Sequence, residues 1–363
     1  MGKKIVFVGG GTMGSVTPLV AVADELEIHP PASSLASEFG RENQNKFFWF
    51  GTFRGVEHAY LKNKPEFFYI PVISAKLRRY FDIRVLLLPF ALLLGFLESL
   101  ILLAFIRPSL VVATGSFVEV SVAVAAWILR IPVLIHQQDV RPGLANKLAA
   151  PFASKISVVF KQTAEFFPKG KTILAQNPLR QEIKEASDKR ARTFFKLESN
   201  VPTVVVLGGS TGALSLNEQI QTILPKILEV AQVIHITGRG KLSNFTHPRY
   251  KPYEFLNTEI FDALAVADVV VSRAGLGAIT ELAHFGTPTI LVPMRGTHQE
   301  DNAQYVCERG AAVCLTRDDV AILEEQIHGL LFNTEKRLEL SKNIRTMFTA
   351  NQSLVQVVKD MLG

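Results

Sequence analysis

The chain has 363 residues, more than the roughly 100–200 residues of a typical domain, so its length predicts two domains. Hydrophobic residues make up 48% and charged residues 20% of it, a balance that excludes a disordered chain. The formal net charge of +6 favours anionic partners such as phosphates or acidic lipids. The two cysteines, Cys307 and Cys314, indicate neither a disulfide framework nor a zinc site, which favours a reducing, cytoplasmic compartment.

Short runs rich in valine and isoleucine alternate with longer helical patterns through the N-terminal half. The runs predict buried strands of a parallel sheet, and the longer patterns predict the helices between them. The predicted strands are residues 4–8, 46–50, 110–113, 132–135 and 155–159, and the predicted helices are residues 18–26, 118–129 and 144–149. This alternation predicts a doubly wound α/β domain.

Residues 85–106 form a strongly apolar stretch of 22 residues in which Glu98 is the single charge. A helix of this length would extend about 33 Å, the thickness of a bilayer. Crossing would leave parts of one sheet on opposite sides of the membrane, and Pro89 further weakens a span. The basic residues that precede the stretch are Lys76, Arg78, Arg79 and Arg84. We therefore predict docking on an anionic membrane surface, with an ordinary buried helix as the alternative.

The same rhythm restarts in the C-terminal half, which predicts a second doubly wound domain. Its predicted strands are residues 203–207, 233–236, 269–271, 289–292 and 312–315, and its predicted helices lie near residues 213–230, 278–284 and 302–309. A charged and less periodic stretch separates the halves, with a hinge predicted near residues 170–178. The predicted domains are residues 1–170 and 171–345, followed by a C-terminal helix at residues 346–363 that packs back on the N-terminal domain.

Glycine-rich turns follow several predicted strands and open the helices after them. Gly9, Gly11 and Gly14 match the pattern GxGxxG directly after the first strand. Similar turns lie at residues 113–121, 208–217 and 272–281. Because carboxyl edges of parallel sheets bind ligands in open α/β folds, we predict two domains that face a central cleft. A tight turn without ligand is one alternative, and NAD is disfavoured because no acidic residue ends the second strand.

Two residues of the C-terminal half suit a nucleotide with a diphosphate. Ser210 and the amides of residues 209–212 open a helix, and a helix N-terminus offers unpaired donors and a favourable dipole. Glu281 can accept hydrogen bonds from sugar or ribose hydroxyls. The alternative for Glu281 is a solvated carboxylate near the start of a helix.

Several motifs together resemble one known family. In chain order they are GGGTMGSVTP, IHQQDVRPGLANK, NPLR, GGSTGALSLNE, EFL, SRAGLGAITELAHFGTPTILVP and HQEDNA. This set, which covers almost the whole chain, resembles the MurG family, whose members transfer N-acetylglucosamine from UDP-N-acetylglucosamine to lipid I and so make lipid II for peptidoglycan. The resemblance implies a GT-B fold of two Rossmann-like domains and an inverting hexosyltransferase that needs no metal and no other cofactor.

The resemblance also assigns partners and residues. It implies a polyprenyl-diphosphate acceptor and an anionic membrane surface for residues 1–170, UDP-N-acetylglucosamine for residues 171–345, and a peripheral place on the cytoplasmic face of the cell membrane. The donor-binding residues by position are Arg180, Ser210, Phe255, Leu256, Glu281, Gln299 and Asn302, with Phe255 over the uracil and Glu281 on the ribose. The acceptor- or diphosphate-binding residues by position are Gly11, Thr12, Met13, Gly14, Ser116 and His136.

The acceptor motifs depart from the family pattern. GGTGGH has become GGTMGS, so Ser15 takes the catalytic position of the histidine proposed as base, although its hydroxyl is too weak a base near neutral pH. HEQN has become HQQD, which ends in Asp139. We predict that the base is Glu119, at the start of the helix after the second glycine turn and facing the cleft. Asp139 is the first alternative and His136, which ends a buried strand, the second.

Three other functions remain open at this stage. A GT-B transferase for another lipid acceptor would share the donor motifs. A UDP-sugar-binding protein without turnover would explain Ser15. Nucleic-acid binding is disfavoured, because lysine and arginine do not interleave with aromatic residues in a recognisable module.

Overall fold

The computed structural model describes residues 2–27, 45–74, 88–209, 212–315, 320–348, 350 and 352–363. Ser210 and the basic residues between 76 and 84 lie outside these ranges. The chain divides into two compact units. The first comprises residues up to Arg180 together with Ala350–Gly363, and the second comprises Gln181–Thr349. Each has one parallel sheet flanked by helices, which confirms the predicted α/β class.

The first unit is built on a seven-stranded sheet with the strand order β3-β2-β1-β4-β5-β6-β7. Its strands are β1 (Lys4–Val8), β2 (Lys46–Gly51), β3 (Phe67–Pro71), β4 (Leu110–Ala113), β5 (Val133–Gln137), β6 (Lys155–Val158) and β7 (Thr172–Leu174). Its helices are α1 (Thr17–Glu27), α2 (Val56–Leu61), α3 (Leu88–Ile106), α4 (Phe117–Ile128), α5 (Leu144–Ala149) and, from the end of the chain, α13 (Leu354–Leu362).

The second unit is built on a six-stranded sheet with the order β10-β9-β8-β11-β12-β13. Its strands are β8 (Thr203–Leu207), β9 (Gln232–Ile236), β10 (Tyr250–Tyr253), β11 (Val269–Ser272), β12 (Thr289–Leu291) and β13 (Val313–Cys314). Its helices are α6 (Asp188–Phe194), α7 (Leu214–Val230), α8 (Glu259–Val266), α9 (Leu276–Phe285), α10 (His298–Cys307), α11 (Val320–Phe332) and α12 (Thr334–Arg345).

The central strands are mainly apolar because helices cover both faces of each sheet. In β1, every residue from Ile5 to Val8 is fully buried. Phe7 contacts Phe47 and Trp49 of the neighbouring strand on one face. In the second unit, Val204 and Val206 of β8 pack against α7 through Ile220 and its neighbours. These layers fix the carboxyl ends of the strands, where the candidate site residues lie.

Each sheet has one point at which the strand order reverses. In the first unit, β1 pairs with both β2 and β4, so the loops after β1 and β4 lie side by side. In the second unit, β8 pairs with both β9 and β11, and the loops after β8 and β11 are adjacent. Open α/β sheets bind ligands at such switch points. All four glycine-rich turns found in the sequence lie at them.

The boundary between the units falls after Arg180, beyond the predicted limit at residue 170. The reason is β7, a short strand that pairs with β6 and extends the first sheet past that limit. The chain returns to this unit at its end. The backbone of Gln176 pairs with that of Gln352, and Leu354, Val355, Val357 and Val358 of α13 enter the same apolar cluster as α1.

The cysteines differ from the sequence expectation. Cys307 and Cys314 form a disulfide, with their Cα atoms 6.1 Å apart. The expectation of no disulfide was wrong because α10 ends at Cys307 and the chain turns back directly into β13, which brings Cys314 beside it. Two cysteines seven residues apart give no sign of this turn in the sequence alone.

Candidate functional site

A buried carboxylate, Glu57, binds the backbone of the glycine loop after β1. Glu57, in the first turn of α2, is fully buried, and its Oε2 accepts a hydrogen bond from the Gly11 amide at 2.9 Å. Its Oε1 accepts from the amide of Thr52 at 2.9 Å and from the Thr52 hydroxyl at 2.5 Å. A Cβ at position 10 would lie 2.5 Å from Glu57 Oε1, so a larger residue there would displace the carboxylate. Glu57 was missed in the sequence, where an acidic residue opening a short helix is an ordinary feature.

This contact corrects part of the acceptor assignment. The amide of Gly11 donates to Glu57 and is therefore not directed at a ligand. Gly11, Thr12 and Gly14 are exposed, whereas Met13 is half-buried against the apolar cluster of α1. The exposed tip from Thr12 to Gly14 is thus the part of the loop that faces solvent.

Ser15 is a structural residue of the same loop. Its hydroxyl lies 3.0 Å from the carbonyl oxygens of both Gly10 and Thr12, and the residue is buried. Its own carbonyl accepts from the Thr114 hydroxyl, which joins the loops after β1 and β4. A serine hydroxyl that donates to backbone carbonyls does not remove a proton from a substrate, so Ser15 occupies the catalytic position of the family motif without acting as a base.

His136 is a buried, neutral histidine at the end of β5. Its Nδ1 lies 2.8 Å from Ser157 Oγ and its Nε2 lies 2.8 Å from Asn177 Oδ1. Burial lowers its pKa to about 4. Both ring nitrogens are therefore occupied inside the protein, and the roles of base and ligand-binding residue expected for His136 are not supported.

A chain of side-chain contacts continues from His136 to the glycine loop. Asn177 Nδ2 donates to Gln138 Oε1 at 3.4 Å, and Gln138 Nε2 donates to the carbonyl oxygen of Gly14 at 2.8 Å. The loop after β5 is therefore attached directly to the tip of the glycine loop. The neighbouring residue, Asp139, is half-buried.

Glu119 does not face solvent, contrary to the sequence prediction. It lies in the first turn of α4 and is fully buried, and its Oε2 accepts from the Gly115 amide at 2.6 Å. The amide of Ser116, the residue before the helix, also donates to it, so Glu119 caps the helix start. Burial nevertheless raises its pKa to about 8. A fully buried carboxyl group that is mainly protonated at neutral pH does not serve as the acceptor-side base.

The glycine loop of the second unit follows β8. Gly209 and Gly212 have φ angles of 80° and 69°, a left-handed conformation that favours glycine. A Cβ at position 212 would also lie 2.4 Å from the carbonyl oxygen of Thr237. Asn217, in the first turns of α7, donates to that same carbonyl at 2.9 Å and contacts His235 Nε2 through Oδ1 at 3.1 Å. Asn217 therefore ties the loops after β8 and β9 together.

A buried guanidinium lies at the switch point of the second unit. Arg273 follows β11 and is 7% exposed. Its Nη1 donates to the carbonyl oxygen of Val292 at 2.9 Å, and its Nη2 donates to Ser215 Oγ at 2.7 Å. Arg273 thus links the ends of β11 and β12 to the start of α7 and keeps a positive charge beside the glycine loop. The motif SRAG was noted in the sequence for its glycine, and its arginine was missed.

The predicted donor residues of the second unit lie in α9, in α10 and directly after β10. Asn302 is fully buried and donates to the carbonyl oxygen of Ala274 at 3.2 Å. Gln299 Oε1 accepts from the Met294 amide at 3.0 Å, and Glu281 is half-buried in α9. Two other predicted residues lie after β10: Leu256 is buried, whereas Phe255 is 48% exposed, with the Arg239 guanidinium 5.2 Å from its ring centre.

The two remaining predicted donor residues are Arg180 and Ser210. Arg180 is the last residue of the first unit, and Ser210 lies outside the described residues. Ser116, half-exposed, precedes α4 in the first unit, and its Oγ has no hydrogen-bond partner. Within the described ranges, no group of three or more His, Cys, Asp or Glu side chains is arranged to hold a metal ion.

Helix α3 presents an apolar face to solvent. The residues of this face are 45% to 84% exposed and recur at helical spacing: Phe90, Leu93, Leu94, Leu97, Ile101 and Phe105. On the opposite side Leu103 is fully buried in the cluster shared with α4. At the edge of the apolar face, Glu98 accepts a hydrogen bond from the Ile73 amide at 2.8 Å. None of the helices in the described parts of the chain is long and apolar enough to cross a membrane.

Two protein-family models match the chain. The glycosyltransferase family 28 N-terminal domain matches residues 5–158, and the glycosyltransferase family 28 C-terminal domain matches residues 203–356. The two matches correspond to the sheets of the two units.

Named relatives cover nearly the whole chain. A Bacillus thuringiensis protein named UDP-N-acetylglucosamine–N-acetylmuramyl-(pentapeptide) pyrophosphoryl-undecaprenol N-acetylglucosamine transferase 3 is 34% identical over 92% of this chain and 93% of its own. A Lachnoclostridium phytofermentans protein with the same name, unnumbered, is 37% identical over 94% of each chain. The crystal structure of Acinetobacter baumannii MurG matches with a TM-score of 0.72 at 24% identity over 99% of each chain. The calicheamicin glycosyltransferase CalG4 has the same fold, with a TM-score of 0.70 at 14% identity over 100% of this chain and 98% of its own.

Proposed function

Since the chain belongs to the family of UDP-N-acetylglucosamine–N-acetylmuramyl-(pentapeptide) pyrophosphoryl-undecaprenol N-acetylglucosamine transferases, we propose that it catalyses the reaction of that name. It transfers N-acetylglucosamine from UDP-N-acetylglucosamine to lipid I and produces lipid II and UDP. The observation that carries this proposal is identity of 34% to 37% over more than nine-tenths of the chain. Two glycine-loop switch points, one in each unit, fit two substrates that each contain a diphosphate.

We propose that the second unit binds the donor through Phe255, Leu256, Glu281, Gln299 and Asn302, with Phe255 over the uracil and Glu281 on the ribose. Arg180 and Ser210 belong to the proposed donor set by motif position. The buried guanidinium of Arg273 supports this assignment, because a fixed positive charge beside the glycine loop stabilises the negative charge that develops on the leaving UDP. No step of this scheme uses a metal ion.

We propose Asp139 as the base of the acceptor reaction. The carboxylates among the described residues of the loops after β1, β4 and β5 are Glu119 and Asp139, and only Asp139 is partly exposed. The acceptor hydroxyl oxygen attacks the anomeric carbon from the face opposite UDP, and the hydroxyl proton passes to the Asp139 carboxylate. The bond between the anomeric carbon and the diphosphate oxygen breaks, and UDP leaves with the electron pair, which inverts the configuration.

The direct test of the function is to incubate the purified protein with labelled UDP-N-acetylglucosamine and lipid I and to measure lipid II. Formation of lipid II supports the proposal. Transfer to a different lipid acceptor would replace it with another transferase activity. Tight UDP binding without product in any lipid assay would indicate a UDP-sugar-binding protein, an alternative that the internal role of Ser15 favours.

The donor assignment has its own test. Glu281→Ala and Arg180→Ala should each weaken binding of UDP-N-acetylglucosamine by more than tenfold, about 1.4 kcal/mol. Calorimetry measures both affinities. Unchanged affinity in both variants would remove these residues from the donor site.

We also propose that the chain binds the cytoplasmic face of the cell membrane peripherally, through the apolar face of α3. A helix that exposes six large apolar residues on one side suits the interface of an anionic membrane. Flotation with anionic liposomes should be lost in Leu93→Asp/Leu97→Asp. Leu338→Asp is the matched control, because Leu338 is an exposed leucine on α12 of the second unit. Equal flotation of all three proteins would contradict the proposal.

A further inference from the structure

Glu119 and Asp139 are connected through two side-chain amides. We propose that Glu119 is held as a neutral carboxylic acid that donates a hydrogen bond to Asn146 and, through Asn146 and Gln137, positions the backbone of Asp139. The positioning half of this inference rests on the proposed function, in which Asp139 is the base. Glu119 is then a positioning residue, and its carboxyl group does not touch the substrate.

The hydrogen bonds of this network are all donated in one direction, from Glu119 through Asn146 and Gln137 to Asp139. Gln137 Nε2 donates to the carbonyl oxygen of Asp139 at 2.8 Å. Asn146 Nδ2 donates to Gln137 Oε1 at 2.6 Å. The other end of the Asn146 amide, Oδ1 in this orientation, lies 2.7 Å from Glu119 Oε1. Two oxygens at this distance need a proton between them, and a protonated Glu119 supplies it.

The other orientations of the Asn146 and Gln137 side-chain amides place two hydrogen-bond acceptors opposite each other. If the Asn146 amide is rotated so that its nitrogen faces a charged Glu119, its oxygen lies 2.6 Å from Gln137 Oε1, and two acceptors oppose each other. If Gln137 is rotated as well, its oxygen faces the carbonyl oxygen of Asp139 instead. The neutral Glu119 satisfies all of these groups, and buried groups without partners are costly.

The surroundings of Glu119 support the neutral form. The side chain is fully buried, and burial raises its pKa to about 8 although the amides of Gly115 and Ser116 pull it down. Asn146 is also buried, so no solvent replaces the contact between them. No charged side chain among the described residues is a cause of this shift.

The same network acts on the loop that carries the proposed base. Gln137 fixes the carbonyl of Asp139 from one side, while Gln138 fixes the loop to Gly14 from the other. The backbone on both sides of Asp139 is therefore attached to buried side chains. The Asp139 carboxylate therefore lies on a loop with little conformational freedom. Such restriction suits a base that must reach one particular hydroxyl group.

Infrared spectroscopy of the wild-type protein tests the protonation. We expect a carbonyl stretching band of a protonated carboxyl group that disappears above a midpoint near pH 8, the pKa given by its burial, and that is absent in Glu119→Gln. Glu339→Gln, which alters an exposed carboxylate of the second unit, should keep the band. Absence of the band at pH 6 in the wild-type protein would overturn the proposal.

Enzyme kinetics test the positioning role. We expect Glu119→Ala to lower kcat by about tenfold with an unchanged KM for the donor, and Glu119→Gln to restore most of kcat, because its amide still donates to Asn146. A Glu119→Gln variant as inactive as Glu119→Ala would overturn the proposal and return Glu119 to the role of base. If the wild-type protein makes no lipid II, the proposed function fails, whereas the infrared band still decides whether Glu119 is neutral.

Discussion

Each unit has one buried charged side chain beside its glycine loop, and the two charges have opposite signs. In the first unit the carboxylate of Glu57 accepts from the amide of Gly11, so one loop amide is turned inward. In the second unit the buried guanidinium of Arg273 donates to the carbonyl oxygen of Val292 and to Ser215 Oγ, beside the glycine loop. A buried carboxylate repels an anion, whereas a buried guanidinium attracts one. We therefore expect the loop of the second unit to attract a diphosphate more strongly than the loop of the first.

Asp139→Asn should have the largest effect, because it removes the base of the acceptor side and leaves the second unit untouched. We expect turnover to fall by roughly 10²-fold or more while donor affinity is unchanged. Single-turnover assays with saturating donor measure this. Glu165→Gln, an exposed carboxylate in the same unit, should behave as the wild type. Normal turnover of Asp139→Asn would show that the proton leaves by another route.

Arg273→Met should weaken donor binding by more than tenfold, about 1.4 kcal/mol, because it removes the buried positive charge beside the second loop. Calorimetry with UDP measures the affinity, and a thermal melt checks that the unit is folded. Arg249→Met is the matched control, since Arg249 pairs with Glu198 at the surface of the same unit. Equal UDP affinity in both variants would mean that the charge of Arg273 is only structural.

Glu57→Gln should destabilise the first unit by about 1–3 kcal/mol, because the new amide group must face a backbone N–H. Both tryptophans of the chain, Trp49 and Trp127, lie in this unit, so the shift of tryptophan fluorescence during urea unfolding reports its stability. Donor affinity should not change. Unaltered stability would show that the loop does not depend on this carboxylate.

The smallest expected effect is a difference between the two units in how their free energy of unfolding depends on pH. The pKa values of His136 and His235 are both lowered to about 4 by burial, which destabilises the folded state as the pH falls below 6.5 and the unfolded chain takes up protons. In the first unit Glu119 opposes this effect, because its pKa is raised to about 8 and the unfolded state releases a proton that the folded state keeps as the pH rises from 4.5 to 8. The two effects nearly cancel between pH 4.5 and 6.5, so the first unit should lose stability as the pH rises from 6.5 to 8, whereas the second unit should lose stability as the pH falls below 6.5.

Glu119→Gln should remove the contribution of Glu119 to the slope of the first unit, which is about 1.4 kcal/mol per pH unit near pH 6–7. Urea unfolding of the first unit at several pH values, followed by tryptophan fluorescence, measures it. A loss of stability below pH 6.5 should then appear in the first unit, because Glu119 no longer opposes the effect of His136. A slope that persists in Glu119→Gln would assign the alkaline loss to another group.

The fold followed from the sequence where burial dominates. The central strands β1, β4, β5, β8 and β11 are mainly apolar runs, and each was located within one or two residues. The edge strand β13 was also predicted, whereas the edge strands β3, β7 and β10 were missed. Of these, β7 has only three residues, and β10 contains Pro252, which weakens a strand pattern. The glycine turns were found because the end of a strand and the start of the next helix are both recognisable from the local sequence.

The roles of the acceptor-side residues could not be predicted in the same way. Glu119 opens a helix in the sequence, but its burial depends on α5, which supplies Asn146. Gln138 contacts Gly14 across 124 positions, a distance over which a sequence pattern carries no signal. Glu57 and Arg273 bind mainly backbone groups, which every residue type has, so no sequence pattern marks their partners.

The return of α13 to the first unit has a consequence for how the molecule is made. Helix α13 completes an apolar cluster whose other members lie before residue 176, so the second unit is an insertion within the first. A ribosome has synthesised the whole second unit before this cluster can close. The second unit, continuous in the chain, can fold on emergence, whereas the first must wait with its helix α1 partly uncovered. A chain that stops before residue 350 should therefore expose the apolar face of α1 and aggregate through its first unit, although nearly all of that unit has been made.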